Sequence, residues 1–235
     1  MLAHRFRSRL SAGASVWLLN PGGASLDVVD VLAGAGAGCL FIDCERTAVD
    51  IESVTALVRC AHSHGMAAML RSDSARPETL VRYLDRGIDG LIVPHTETVA
   101  QLQAIADVVR YVTRGDCGRV FAIAQIESAA AVDQVEALAA STDVDGFLVG
   151  PNDLAHSLGF AGDTGRPEVA AAVDRAVAAL QRHGRVWGLP ATADSAGRWT
   201  QRGAQFLYGT LEQILKAGYG PMAAAVAAPG KDPPK

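Results

Sequence analysis

Short, continuously apolar runs alternate with helix-like stretches eight times along this chain, and that alternation is the strongest constraint on its fold. The runs are Ser15–Leu19, Cys39–Asp43, Ala67–Arg71, Gly90–Pro94, Val120–Glu127, Gly146–Val149, Val186–Leu189 and Gln205–Tyr208. Helical patterns follow them in turn, near Ser25–Ala35 (with Ser25 as cap), Ile51–His64, Pro77–Arg86, Thr98–Val112, Ala130–Ala140, Pro167–His183, Ser195–Arg202 and Leu211–Val226. Strands that read as unbroken apolar runs are those buried on both faces of a parallel sheet. Eight such units predict the α/β class and a (β/α)8 TIM barrel. A doubly wound open sheet is the rival, but no Gly-x-Gly-x-x-Gly follows the first run. Glycines ahead of the strands (Gly38, Gly65, Gly87, Gly184, Gly203) are expected at helix C-termini. One barrel domain is expected over residues 15–227. The basic start, residues 1–14, reads as an N-terminal arm or helix rather than a signal peptide, and the tail, residues 228–235, as disordered.

In such a barrel, chemistry sits at the C-terminal ends of the strands. Two carboxylates there command attention. Glu127 closes the fifth run in Ala124-Gln125-Ile126-Glu127-Ser128, and Asp153 follows the sixth in Val149-Gly150-Pro151-Asn152-Asp153-Leu154. If the two strands are neighbours, the acids emerge at one sheet edge and repel each other unless a cation lies between them. Oxygen ligands suit a hard divalent ion. The alternative is that both are helix caps or first-turn residues. The cation is the preferred reading because each acid lies inside a longer motif. Arg71 ends the third run, where its planar fork suits a carboxylate or enolate. A structural ion pair with Asp43, Glu45 or Asp73 is its other reading. His95 follows the fourth run and serves proton transfer only if it reaches the mouth, which the sequence does not show.

Composition narrows the classes. The net charge of −4 gives no basic surface for nucleic acid, and no run approaches the ~18 apolar residues of a membrane span. The four cysteines form no Cys-x-x-Cys pair and three lie in apolar segments, so buried reduced thiols are expected. A soluble cytoplasmic protein is the expectation. The only lysines are Lys216, Lys231 and Lys235, none at a strand end, which leaves no candidate for a Schiff base.

From Val16 to about Val226 the chain resembles the HpcH/HpaI aldolase and citrate lyase family of metal-dependent pyruvate aldolases. The resemblance rests on Phe41-Ile42-Asp43-Cys44-Glu45, Leu70-Arg71, Leu84-Asp85-Arg86-Gly87 with Ile92-Val93-Pro94, Gln125-Ile126-Glu127, and Gly150-Pro151-Asn152-Asp153-Leu154 with Leu158-Gly159. It implies a phosphoenolpyruvate/pyruvate-domain-like barrel whose C-terminal helix is exchanged between subunits. It implies cleavage of 4-hydroxy-2-oxo acids to pyruvate and an aldehyde, or the reverse, through a pyruvate enolate. Glu127 and Asp153 would then hold one divalent ion per subunit, Mg²⁺ or Mn²⁺ with Co²⁺ as an alternative. Arg71 would stabilise the enolate. Gln125 and the backbone at Gly150, Pro151 and Asn152 would bind substrate, with Asp43, Glu45 and Asp85 as supporting acids. The partners implied are a small 2-oxo acid, an aldehyde and further copies of the chain, as a dimer or a hexamer built as a trimer of dimers.

Two departures mark this chain. Arg46 stands where the family's aldolases carry a proton-transferring histidine, and arginine stays protonated. The expectation is that a cation-held water takes over, with His95 as the alternative. The stretch Thr96–Arg119 is also short, with room for one helix and a turn. A citrate-lyase-like enzyme acting on an acyl-CoA, a specialised biosynthetic lyase or decarboxylase, and a non-catalytic barrel that binds a small anion remain as alternatives.

Overall fold

The computed structural model describes residues 2–227, so the tail expected to be disordered lies outside the described residues. Among the described residues, eight parallel strands close into a barrel in chain order. They are β1 (Val16–Asn20), β2 (Cys39–Asp43), β3 (Ala67–Arg71), β4 (Gly90–Val93), β5 (Phe121–Ile126), β6 (Gly146–Val149), β7 (Val186–Pro190) and β8 (Phe206–Thr210). Eleven helices accompany them: α1 (Leu2–Ser11), α2 (Leu26–Gly34), α3 (Ile51–Ser63), α4 (Pro77–Leu84), α5 (Val99–Thr113), α6 (Ala129–Asp133), α7 (Val135–Ala140), α8 (Pro151–Ser157), α9 (Pro167–Arg182), α10 (Ala193–Gln201) and α11 (Leu211–Ala227). The (β/α)8 architecture is as the alternation predicted. The short link between β4 and β5 holds α5 and one 3-10 turn, Cys117–Arg119.

The strands alternate their side chains between two compartments. Leu18, Phe41, Met69, Ile92, Ile123, Leu148 and Phe206 fill the barrel interior. Leu40, Ile42, Leu70, Leu91, Ala124, Val149 and Leu189 face outward against the helices. The interior is tight: a Cβ on Gly90 would lie 2.2 Å from the Met69 methyl group.

Helix α1 occupies the end of the barrel at the strand N-termini. Its Phe6 and Leu10 join the interior core. Phe6 meets Phe121 edge-on with ring centroids 5.1 Å apart. Arg7 pairs with Asp145 at 2.8 Å and lies over the Phe121 ring. The same end carries the glycine turns. Gly65, Gly87, Gly184 and Gly203 have positive φ as expected, but after α2 that role falls to Gly36 and not Gly38.

The wall is incomplete on one side. Outward residues of most strands are covered, yet Trp17 on β1 is 36% exposed and lies over Gly209 of β8, whose added Cβ would meet its ring at 3.1 Å. Helix α11, which follows β8, leaves Ile214, Leu215, Tyr219, Met222 and Val226 exposed. Among the described residues no helix is long and apolar enough to cross a membrane. All four cysteines are free. Cys39 and Cys44 are buried, Cys60 is half-buried, and Cys117 is exposed, so burial holds for only two of them.

Candidate active site

Strand register assembles the site. Strands β2 and β3 pair Cys39 with Ala67 and, four residues on, Asp43 with Arg71. These two side chains therefore leave the barrel side by side. Arg71 donates from Nε to Asp43 Oδ1 at 3.0 Å and from Nη2 to Asp43 Oδ2 at 2.7 Å. Its Nη1 lies 3.0 Å from Glu45 Oε2. Asp43 also accepts from the Glu45 and Arg46 backbone N–H groups, each at 3.2 Å, and from Asn20 Nδ2 at 3.3 Å. Burial works against the charge on Arg71, but the hydrogen bonds and charge of Asp43, with Glu45 behind them, raise its pKa above the ordinary value. The ion-pair reading of Arg71 is thus realised with Asp43 and Glu45. Asp73 is instead engaged by the Tyr83 hydroxyl at 3.0 Å. An arginine has five N–H donors and only two are given to Asp43, so Nη1, beside a Glu45 Oε2 that accepts no hydrogen bond, keeps donors for a ligand.

The second half comes from β4, β5 and β6. The last β5–β6 pair is Ile126 with Val149, so Glu127 and Gly150 are the next residues across the sheet. A Cβ on Gly150 would fall 2.9 Å from Glu127 Cβ, 3.0 Å from its Oε2 and 3.2 Å from Gln125 Nε2. Glycine here lets the β6–α8 backbone close over the Glu127 carboxylate. Gln125 donates to Glu127 Oε2. The His95 backbone N–H donates to Glu127 Oε1 at 2.7 Å. His95 adopts φ 54°, a region unusual outside glycine, and strain of this kind gathers at functional sites. Its ring bridges two acids, with Nδ1 3.0 Å from Glu127 and Nε2 3.2 Å from Glu45. Burial raises the pKa of Glu127. The His95 N–H and imidazole oppose the shift, and the charges of Asp153 and Glu45 add to it.

Asp153 stands in the first turn of α8 and forms an ion pair with Arg46. Arg46 therefore faces one of the two acids expected to bind a cation. The tightest convergence of donor atoms in the mouth is Glu45, His95 and Glu127, all within 4.8 Å of one another. His95 thus stands at the rim of the mouth, its ring largely exposed but turned to both acids, a direction that no residue pattern indicates. Its position follows from the left-handed turn.

Asp85 is corrected. It is the exposed C-cap of α4, ahead of β4, at the end of the barrel opposite the mouth. Within one chain it does not reach the residues at the strand C-termini. Pro151 and Asn152 line an outer cavity of about 340 Å³ that also involves Leu189, Trp199 and Arg202; Arg71, Glu127 and His95 do not line it. Tyr208 was missed. Its hydroxyl accepts from Asn20 Nδ2 at 2.9 Å, and its ring packs edge-on against Phe41 at 4.6 Å. The inward alternation of Phe206 and Tyr208 along β8 carried that signal.

The mouth fits a hard divalent ion on its own chemistry. Glu45, Glu127 and the His95 imidazole bring their ligand atoms together, while Asp153, paired with Arg46, lies outside that group and reaches Glu127 only through its charge. The buried Gln125 Oε1 has no hydrogen-bond partner.

Residues 17–212 match the family described as HpcH/HpaI aldolase/citrate lyase. The chain belongs to this family. It is accordingly an enzyme of the carbon–carbon lyase class. Over 202 residues it is 33% identical to a 5-keto-4-deoxy-D-glucarate aldolase of Klebsiella pneumoniae, covering 76% of this chain and 78% of that protein. Over 239 residues it is 28% identical to a hydroxypyruvate/pyruvate aldolase of Roseovarius nubinhibens, covering 90% and 92% of the two chains. Among solved structures, an HpcH/HpaI aldolase/citrate lyase family protein from Burkholderia cenocepacia superimposes with a TM-score of 0.87 at 25% identity, covering 96% of this chain and all of that one.

Proposed function

We propose that the chain is a divalent-cation-dependent aldolase that cleaves 4-hydroxy-2-oxo acids to pyruvate and an aldehyde, or joins them. The observation that carries this is the convergence of Glu127, Glu45, His95 and Arg71 at the strand C-termini of a barrel in this family. Glu127 and Asp153, with Glu45 beside them, are the residues that would hold the cation, which leaves the His95 imidazole free for a proton. When bound, the cation supplies Lewis-acid polarisation of the 2-oxo acid's oxygens.

The chain's own residues supply the rest. In cleavage, the C4 hydroxyl loses its proton, the C3–C4 bond breaks, and its electron pair stays on the three-carbon enolate. C3 then takes up a proton to give pyruvate. Arg71, fixed by its fork to Asp43, presents a positive charge that favours the enolate oxygen over the neutral ketone. Arg46 cannot take the C4 proton because guanidinium does not deprotonate. His95 stands between Glu127 and Glu45 and is the side chain best placed to hold it. That departs from the expectation of a water in this role. Gln125 and the first-turn N–H groups of Asn152 and Asp153, which have no partner within α8, provide donors for the substrate carboxylate.

Release of pyruvate from a 4-hydroxy-2-oxo acid tests this, using protein stripped by a chelator and replenished with Mg²⁺ or Mn²⁺. Cleavage should need the cation and fall sharply in His95→Ala. Cleavage that ignores the cation, or a wild-type rate in His95→Ala, contradicts the respective assignment.

The assembly belongs to the same proposal. The uncovered Trp17 face and the exposed apolar side of α11 complement each other, so reciprocal exchange of α11 between two copies buries both.

A further inference from the structure

Outside the mouth, one other place among the described residues brings three metal-ligating side chains together. Asp30 on α2, Cys60 on α3 and His64, the C-cap of α3, hold their ligand atoms within 4.8 Å of one another. Cys60 and His64 stand four residues apart, which puts both on one helix face. That face is turned to α2. Cys60 Sγ lies 3.3 Å from Asp30 Oδ1, and His64 Nε2 lies 2.7 Å from the same oxygen.

We propose that Asp30, Cys60 and His64 form a second divalent-cation site, selective for thiophilic ions of the Zn²⁺ class, that clamps α2 to α3 on the outer wall of the barrel. The donor types decide the class. The mouth offers only oxygen and nitrogen, whereas this cluster adds a sulfur, and thiolate with imidazole selects Zn²⁺ over Mg²⁺. Distances agree. A tetrahedral ion with bonds of about 2.3 Å to sulfur and about 2.0 Å to nitrogen and oxygen separates its ligand atoms by roughly 3.3–3.5 Å. The Sγ–Oδ1 separation already matches, and the Nε2–Oδ1 pair needs to open by only about half an ångström, within reach of half-exposed side chains.

Three protein ligands leave a fourth position for water or for a group on another molecule. The site is remote from the reaction. His64 precedes β3 at its N-terminal end, so the cluster lies toward the end of the barrel away from the mouth. Its role is therefore structural, and it does not depend on the aldolase assignment.

Co²⁺ distinguishes the two sites, because only a thiolate ligand gives a near-ultraviolet sulfur-to-cobalt charge-transfer band. Reduced, chelator-stripped protein titrated with Co²⁺ should develop that band to one equivalent per chain, and Zn²⁺ should erase it. Cys60→Ser should abolish it. His64→Ala should weaken binding by more than the roughly 10–100-fold that follows loss of a group merely supporting a ligand. Glu127→Gln, which alters only the mouth, should leave the band intact. Circular dichroism melts of the two surface variants without metal should match the wild type. Absence of the band, its survival in Cys60→Ser (which would implicate the exposed Cys117), or unchanged binding in His64→Ala overturns the proposal.

Discussion

Replacing Arg71 by methionine removes the partner of two acids at once. Asp43 is 3% exposed and receives both arms of the guanidinium fork, at 3.0 and 2.7 Å, while Glu45 loses its neighbour at 3.0 Å. Breaking a buried pair by deleting one member costs about 3–5 kcal/mol, because the remaining charge stays buried without compensation. For a chain of this size, about 2–4 °C of melting temperature accompanies each kcal/mol, so Arg71→Met should melt roughly 6–20 °C lower. Arg71→Lys keeps the charge but not the fork, and should lose only about 1–3 kcal/mol. The double change Arg71→Met with Asp43→Asn removes the orphaned charge and should recover much of the loss. Pyruvate proton exchange should stay abolished in all three, since none restores the planar donor. Differential scanning calorimetry and deuterium incorporation into pyruvate read the two effects separately. An Arg71→Met melt within about 2 °C of wild type would refute the argument that the buried pair holds the mouth together. The sequence leaves Arg71 between an enolate partner and a structural ion pair; the hydrogen bonds to Asp43 realise the ion pair, and the enolate role rests on the proposed function.

Other expectations follow from particular contacts. Gly150→Ala should weaken Mn²⁺ binding in calorimetry and cost about 1–3 kcal/mol in stability, because the new methyl group would press on Glu127 at 2.9 Å. A thiol reagent at pH 8 should label Cys117 and Cys60 in the native protein but spare Cys39 and Cys44 until it unfolds. Burial pushes Cys44 up to about 12 and Cys39 higher still. Tyr219→Glu with Met222→Glu in α11 should convert the assembly to monomers by light scattering and alter the emission of Trp17; an unchanged mass would exclude α11 as the contact.

The parts of this fold that were legible in the sequence are those that local pattern specifies. The apolar runs Cys39–Asp43 and Ala67–Arg71 coincide with β2 and β3 to the residue, because a run buried on both faces ends where the first polar side chain reaches the mouth. Ser25 has the position and residue type of a cap, and its hydroxyl accepts from the Val28 N–H at 3.4 Å. Short helices were not legible. Pro151–Ser157 spans too few turns to show periodicity, and the helix expected over 130–140 breaks at Gln134 into α6 and α7. Pairings distant in the chain were equally hidden. Arg46 meets Asp153 107 residues away, and His95 reaches Glu127 only through its left-handed backbone. Asp85 was misplaced because motif membership says nothing about which end of a barrel a residue occupies.

The central claim is that a cation held at Glu127 makes pyruvate enolisable. Methyl-group exchange of pyruvate in deuterium oxide, followed by mass spectrometry, tests it directly. The account predicts exchange in the wild type that stops on chelation, returns with Mg²⁺ or Mn²⁺, and is lost in a folded Glu127→Gln variant. Exchange that persists without a divalent ion, or that continues at the wild-type rate in Glu127→Gln, would contradict it.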